Sequence, residues 1–126
     1  MIEIKFSEMD SAILYSIPQP GVDLAGVIRY YCFINRDAPP PFAVLASCLS
    51  NSAAVGILIA SADGRFTISP GWYEYIHRFD SQTSNEIESL IAFDELFTPQ
   101  TWRAVAEHDV RLSENNYNAA IALIRR

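Results

Sequence analysis

Basic residues are scarce in this chain. Nine bases stand against fifteen acids in 126 residues, for a formal net charge of −6. The bases form no stripe, and a nucleic-acid binder needs clustered cations to displace counterions from phosphates, so nucleic acid is not an expected partner. Glycine is equally thin. The five glycines fall singly at positions 21, 26, 56, 64 and 71, with no Gly-rich cluster ahead of a helix to cradle a phosphate. Cys32 and Cys48 have no CxxC spacing and no histidine beside them, which removes the usual zinc and thiol-nucleophile patterns. In apolar surroundings both are expected to be buried small hydrophobes in a reducing compartment. No G-x-S-x-G elbow marks a serine nucleophile.

Histidine is limited to His77 and His108. Neither belongs to an HxxxH or HxH pair, so no metal and no cofactor is expected. A signal peptide is not expected either, because MIEIKFSEMD places acids where an apolar segment is required. One uncharged stretch, Ala38 to Ala62, has the length to span a bilayer. Three prolines open it, and Ser47, Ser50, Asn51 and Ser52 sit in its middle, polar groups that a lipid interior would leave unsatisfied. The expectation is a cytoplasmic protein with no membrane span.

What is present is apolar. Half of the residues are hydrophobic and 12% are aromatic, enough for one core and against disorder. Residues 1–126 are expected to form a single domain. Pro41 to Phe79 reads as its organising stretch, an antiparallel β-meander. Phe42–Leu49 and Ala53–Ala60 are two apolar runs around a Ser50-Asn51-Ser52 turn. Ala62-Asp63-Gly64 turns into Phe66-Thr67-Ile68, and Trp72–Phe79 follows as an aromatic strand.

Ile2–Phe6 alternates as a strand does, and Ser11–Ile17 is a second candidate, ended by Pro18-Gln19-Pro20-Gly21. Val22–Ile34 carries both patterns. Its β-branched and aromatic residues suit a strand, but Asp23 as a cap and Leu24, Val27, Ile28, Tyr31 and Ile34 at helical spacing favour a helix. Asn35–Pro41 is a loop. Thr83-Ser84-Asn85-Glu86 matches a capping box. Thr98-Pro99 is a second helix start, with Trp102, Val105 and Ala106 inward. Ser113 begins a third helix, with Tyr117, Ala120, Ile121 and Ile124 on one face and Arg125 and Arg126 at its C-terminal end. The fold class is therefore α+β, an antiparallel β-meander sheet with C-terminal helices packed on one face.

Function is less legible. On a strand, Tyr73, Tyr75, His77 and Phe79 share a face, and His77 near Asp80 is the one candidate for acid–base work. His108-Asp109 reads as a helix-end contact. Residues 80–114 carry eight acids against Arg103 and Arg111, a field suited to a basic partner. The favoured function is a small acidic, non-catalytic protein-binding domain, such as an inhibitor or a toxin-neutralising immunity protein. Its charge would come from Glu86, Glu88, Asp94 and Glu95, and its anchors would be Trp72 and Tyr73. The alternatives are a small enzyme or ligand-binding domain with a sheet–helix pocket around His77, and a structural subunit whose apolar surplus forms a self-interface.

Overall fold

The computed structural model describes residues 3–105 and 110–125. After β1 (Glu3–Ile4), the chain turns into α1 (Glu8–Tyr15). Ser7 accepts from the Asp10 amide while Asp10 Oδ2 accepts from the Ser7 amide at 2.8 Å, a complete capping box. This corrects the strand expected from Ser11. The local start signal outweighs a short apolar run that suits either structure.

The next expectation holds. β2 (Val22–Asp23) leads into α2 (Leu24–Asn35), with the Asp23 carboxylate accepting from the Gly26 amide at 2.8 Å. Val27, Ile28 and Tyr31 are buried at the predicted helical spacing.

The organising stretch is different from its expectation. Phe42–Val55 is one continuous helix, α3. Ser50-Asn51-Ser52 is no turn; Ser52 is fully buried on the face that also carries Leu45, Cys48 and Leu49. Those positions repeat at helical intervals, and alanine-rich sequence between them favours a helix. Gly56 stops it in the left-handed region at φ 92°, its amide bonding back to Ala53.

A β-hairpin follows. β3 (Leu58–Ala60) and β4 (Arg65–Ile68) pair antiparallel around the expected Asp63-Gly64 turn. β2 pairs with the other edge of β4, giving the order β2-β4-β3.

Trp72–Phe79 is not a strand. Pro70–Ile76 forms α4, with Pro70 in the first turn, where its missing N–H costs nothing. In α5 (Glu86–Phe97) the cap is Asn85, whose side chain accepts from the Glu88 amide, and not Thr83. Thr83 Oγ1 instead donates to the Phe79 carbonyl at 3.1 Å. Thr98-Pro99 begins no helix. Thr98 ends α5, its amide and hydroxyl both donating to the Asp94 carbonyl.

Trp102–Arg103 is β5, paired antiparallel with β1 in a separate two-stranded sheet. Val105 is 75% exposed, not inward as expected. Ala106 and His108-Asp109 lie outside the described residues. α6 (Glu114–Ile124) starts at Ser113 as expected and packs on α2.

The architecture is α+β with antiparallel sheets, and helices carry most of the core. Among the described residues, no helix is long and apolar enough to cross a membrane. Cys48 is buried, Cys32 half-buried, and both are free thiols.

Gly21 joins α1 to this hairpin at φ 112°, and a Cβ there would lie 2.6 Å from the Phe66 carbonyl oxygen and against Thr67 Oγ1. Gly21→Ala is expected to cost about 2 kcal/mol or more in urea unfolding, from strain plus overlap. Gly71→Ala, where a Cβ meets nothing, should stay within about 0.5 kcal/mol of the parent. Equal effects at the two positions would refute the strain at Gly21.

Candidate binding cleft

α4 presents Tyr73 and His77 one turn apart on one face, although His77 itself is the residue that ends the helix. Their rings stack with centroids 4.3 Å apart and 32° between planes. Tyr15, at the end of α1, covers His77 at 4.5 Å and 36°. The imidazole is thus held between two tyrosines. The tight turn that follows, with the Asp80 amide bonded to the His77 carbonyl, brings Asp80 back under the ring.

Asp80 is the polar centre. Its Oδ2 lies 3.0 Å from His77 Nδ1. Its Oδ1 accepts from the Tyr15 hydroxyl at 2.9 Å and from Ser89 Oγ on α5. Burial alone would raise the Asp80 pKa, but the hydrogen bonds from Ser89 and Tyr15 and the neighbouring His77 outweigh it and hold the carboxyl below its usual range. Tyr15 moves the other way. Burial first, then the Asp80 and Glu86 carboxylates, push its hydroxyl up to about 12 against the Ser89 bond. Asp80 is therefore ionised at neutral pH, and Tyr15 remains a donor to it.

Above this network lies an open cleft of about 400 Å³, bounded by the end of α1, by Tyr30 and Ile34 of α2, by Tyr73 and His77, and by Ser84 to Glu86 at the start of α5. Its lining contains two carboxylates, Asp80 and Glu86, and, among the described residues, no lysine or arginine. The Asp80 side chain is 48% exposed, so its charge reaches the opening. His77 offers the cleft no free nitrogen as it stands: Nδ1 faces Asp80, and Nε2 is buried without a partner among the described residues. In this arrangement the ring packs as part of the cleft wall. Among the described residues no three His, Cys, Asp or Glu side chains converge as metal ligands.

The six residues expected to bind a partner are divided by the fold. Tyr73 and Glu86 line the cleft. Trp72, the neighbour of Tyr73, points elsewhere. It packs edge-on against Trp102 at 5.0 Å and Tyr75 at 5.4 Å, beside a second recess bounded by Ser69 and Gly71. Glu88 folds back to accept from the Ser84 amide and hydroxyl at 3.1 and 2.9 Å. Glu88 and Glu95 are exposed and, seven residues apart, share the outward face of α5, while Asp94 is half-buried at its flank.

Tyr15, Tyr30 and Ser89 were not anticipated. Tyr15 sits inside an apolar run, where a tyrosine announces only that its hydroxyl needs some partner. Nothing local names Asp80, 65 residues away.

The opposed shifts give an alkaline test. Below pH 10 the Tyr15 hydroxyl is protonated in both folded and unfolded chains. Between pH 10 and about 12 only the unfolded chain ionises it, so the stability it contributes is progressively lost as pH rises through that window. The stability difference between the parent and Tyr15→Phe, by urea unfolding, is expected to be flat from pH 7 to 9. It should then shrink toward pH 12. A difference that stays constant to pH 12 would refute the raised Tyr15. No family model matches the chain, and neither a curated protein nor a solved structure matches it.

Proposed function

We propose that this chain is a small acidic, non-catalytic binding domain that engages a basic protein partner, as an inhibitor or an immunity protein does, and that the Tyr15–Tyr73–Asp80–Glu86 cleft is its point of recognition. One observation carries this: among the described residues the cleft collects two carboxylates and several tyrosines but no lysine or arginine, and its one basic side chain, His77, is already engaged by Asp80. Tyrosine is a favoured anchor at protein interfaces because its large rigid ring contributes area at little entropic cost. The acid-rich α5 beside the cleft would steer a basic partner toward it and make association salt-sensitive. His77 supports this role as a packed wall. A small-ligand pocket at the same place is the second reading, favoured by the volume of the cleft and by the His77–Asp80 pair within it.

Capture of the tagged chain from its own cells, at low and high salt, tests the assignment. A basic protein is expected to be retained at low salt and released at high salt. Its affinity for Glu86→Lys should fall about tenfold or more, because a like charge then faces the partner. Thermal unfolding of that variant should change little, since Glu86 contributes only about 0.3–1 kcal/mol as a first-turn acid. Equal retention by the parent and Glu86→Lys would remove the cleft from the interface. Absence of any partner at either salt would overturn the binding role and favour the small-ligand pocket.

A further inference from the structure

The cleft carries two carboxylates, and among the described residues its one basic side chain is His77, which faces Asp80. Asp80 has roughly four lone-pair positions, and Tyr15, Ser89 and His77 occupy three of them. One position is left, on a side chain that is 48% exposed. Glu86, exposed in the first turn of α5, accepts no hydrogen bond from the described residues. Aromatic surface lines the same cleft: Tyr73 on α4 and Tyr30, 42% exposed, on α2. An anion entering here would be repelled, and a neutral group would leave Glu86 without a partner and the last position on Asp80 unmatched in charge. A cation suits the site.

We infer that the cleft takes a planar guanidinium, the end of an arginine side chain on the partner, between the carboxylates of Asp80 and Glu86 and against the tyrosine rings. This rests on the cleft being the recognition site and adds the chemistry that the site reads. Guanidinium fits better than ammonium on three counts. It is flat and stacks on aromatic faces. Its rigid fork of donors can serve two acceptors at once. It is also more weakly hydrated, so it leaves water for a cleft of tyrosines at lower cost. The elevated Tyr15 hydroxyl, raised by burial and then by these two carboxylates, is a second sign of the negative potential that a guanidinium would meet.

The full chain, labelled with ¹⁵N, is titrated with a blocked arginine amide, and separately with the blocked amides of citrulline and lysine. Citrulline keeps the shape of arginine without its charge. Arginine is expected to move the amides of residues 15–17, 73–80 and 84–89 to saturation. Citrulline should leave them in place, and lysine should bind at least threefold more weakly. Glu86→Gln is expected to weaken arginine at least fivefold, with Tyr30→Leu as a second variant on an exposed side chain outside the Asp80 network. Citrulline saturating as readily as arginine would overturn the charge argument, and lysine equal to arginine would overturn the guanidinium. Arginine shifts that lie elsewhere or survive both variants would overturn the site. Failure here is distinguishable from failure of the binding role: arginine that fills the cleft while capture is indifferent to Glu86→Lys overturns the binding role alone, and capture that needs Glu86 while arginine does not bind overturns the guanidinium alone.

Discussion

Every residue from Asp10 to Ile17 is buried, so beyond its first turn α1 has no face left for solvent. A segment enclosed on all sides must satisfy each of its polar groups within the protein, since an unpartnered buried group costs about 1–3 kcal/mol. The rest of the structure answers to that requirement. Asp10 is consumed by the Ser7 cap, and Ser16 Oγ donates to the Ala12 carbonyl at 2.7 Å. α2, α3 and α5 pack around the apolar residues Ile13 and Leu14, which have no exposed surface. Tyr15 is the group that cannot be satisfied within the helix. Its hydroxyl reaches out to Asp80 and ties the 77–89 segment to the end of α1.

The second constraint is aromatic. Phe6, Phe97 and Phe93 stack in sequence with centroids 4.8 and 5.0 Å apart, and Trp72 and Trp102 close on Phe97 from the side at 6.2 and 5.7 Å. This column explains why so short a sheet as β1–β5 persists. Two residues per strand give few ladder bonds, and an isolated two-stranded ribbon is at best marginal in water. Here Ile4 and Trp102 face each other across the pair, and rings from β5, α4 and α5 meet beside it. Lys5 Nζ adds a bond to the Pro99 carbonyl at 3.2 Å, tying the start of the chain to the loop that ends α5. One consequence concerns α4: with Trp72 anchored in this column, the opposite face of the helix, Tyr73 and His77, is turned toward the cleft.

How much of this the sequence discloses depends on the range of the interaction. Features written within four residues are legible. Asp23 capping α2, Ser113 capping α6 and the Asp63-Gly64 turn all follow from side chains that reach their own backbone. The same kind of signal is present at Ser7-Asp10, and Pro70 at the start of α4 is a second local helix signal. α3 is the instructive case. Ser50-Asn51-Ser52 resembles a turn by composition, but the spacing of Leu45, Cys48, Leu49 and Ser52 is helical, and periodicity reports burial where composition does not. In the cleft, His77, Asp80, Tyr73 and Glu86 are conspicuous in the sequence as residue types. Their convergence is not, because it depends on Tyr15 and Ser89, which are named only by a hydrogen bond that spans the chain.

That bond also sets what the cleft can offer. A carboxylate exposed on a mobile side chain must be oriented and partly desolvated each time it binds, and exposed pairs for this reason contribute little. Asp80 is spared most of that cost. Three donors already hold it, two of them from Tyr15 and Ser89, which are buried in α1 and α5. Its charge is fixed in direction before any ligand arrives, as a preorganised site requires. The stacked imidazole contributes in the same sense, since a ring clamped between Tyr15 and Tyr73 cannot rotate away from Oδ2. The demand of a buried helix for one hydrogen-bond partner and the presence of an oriented negative charge at the surface are thus the same contact, read from its two ends.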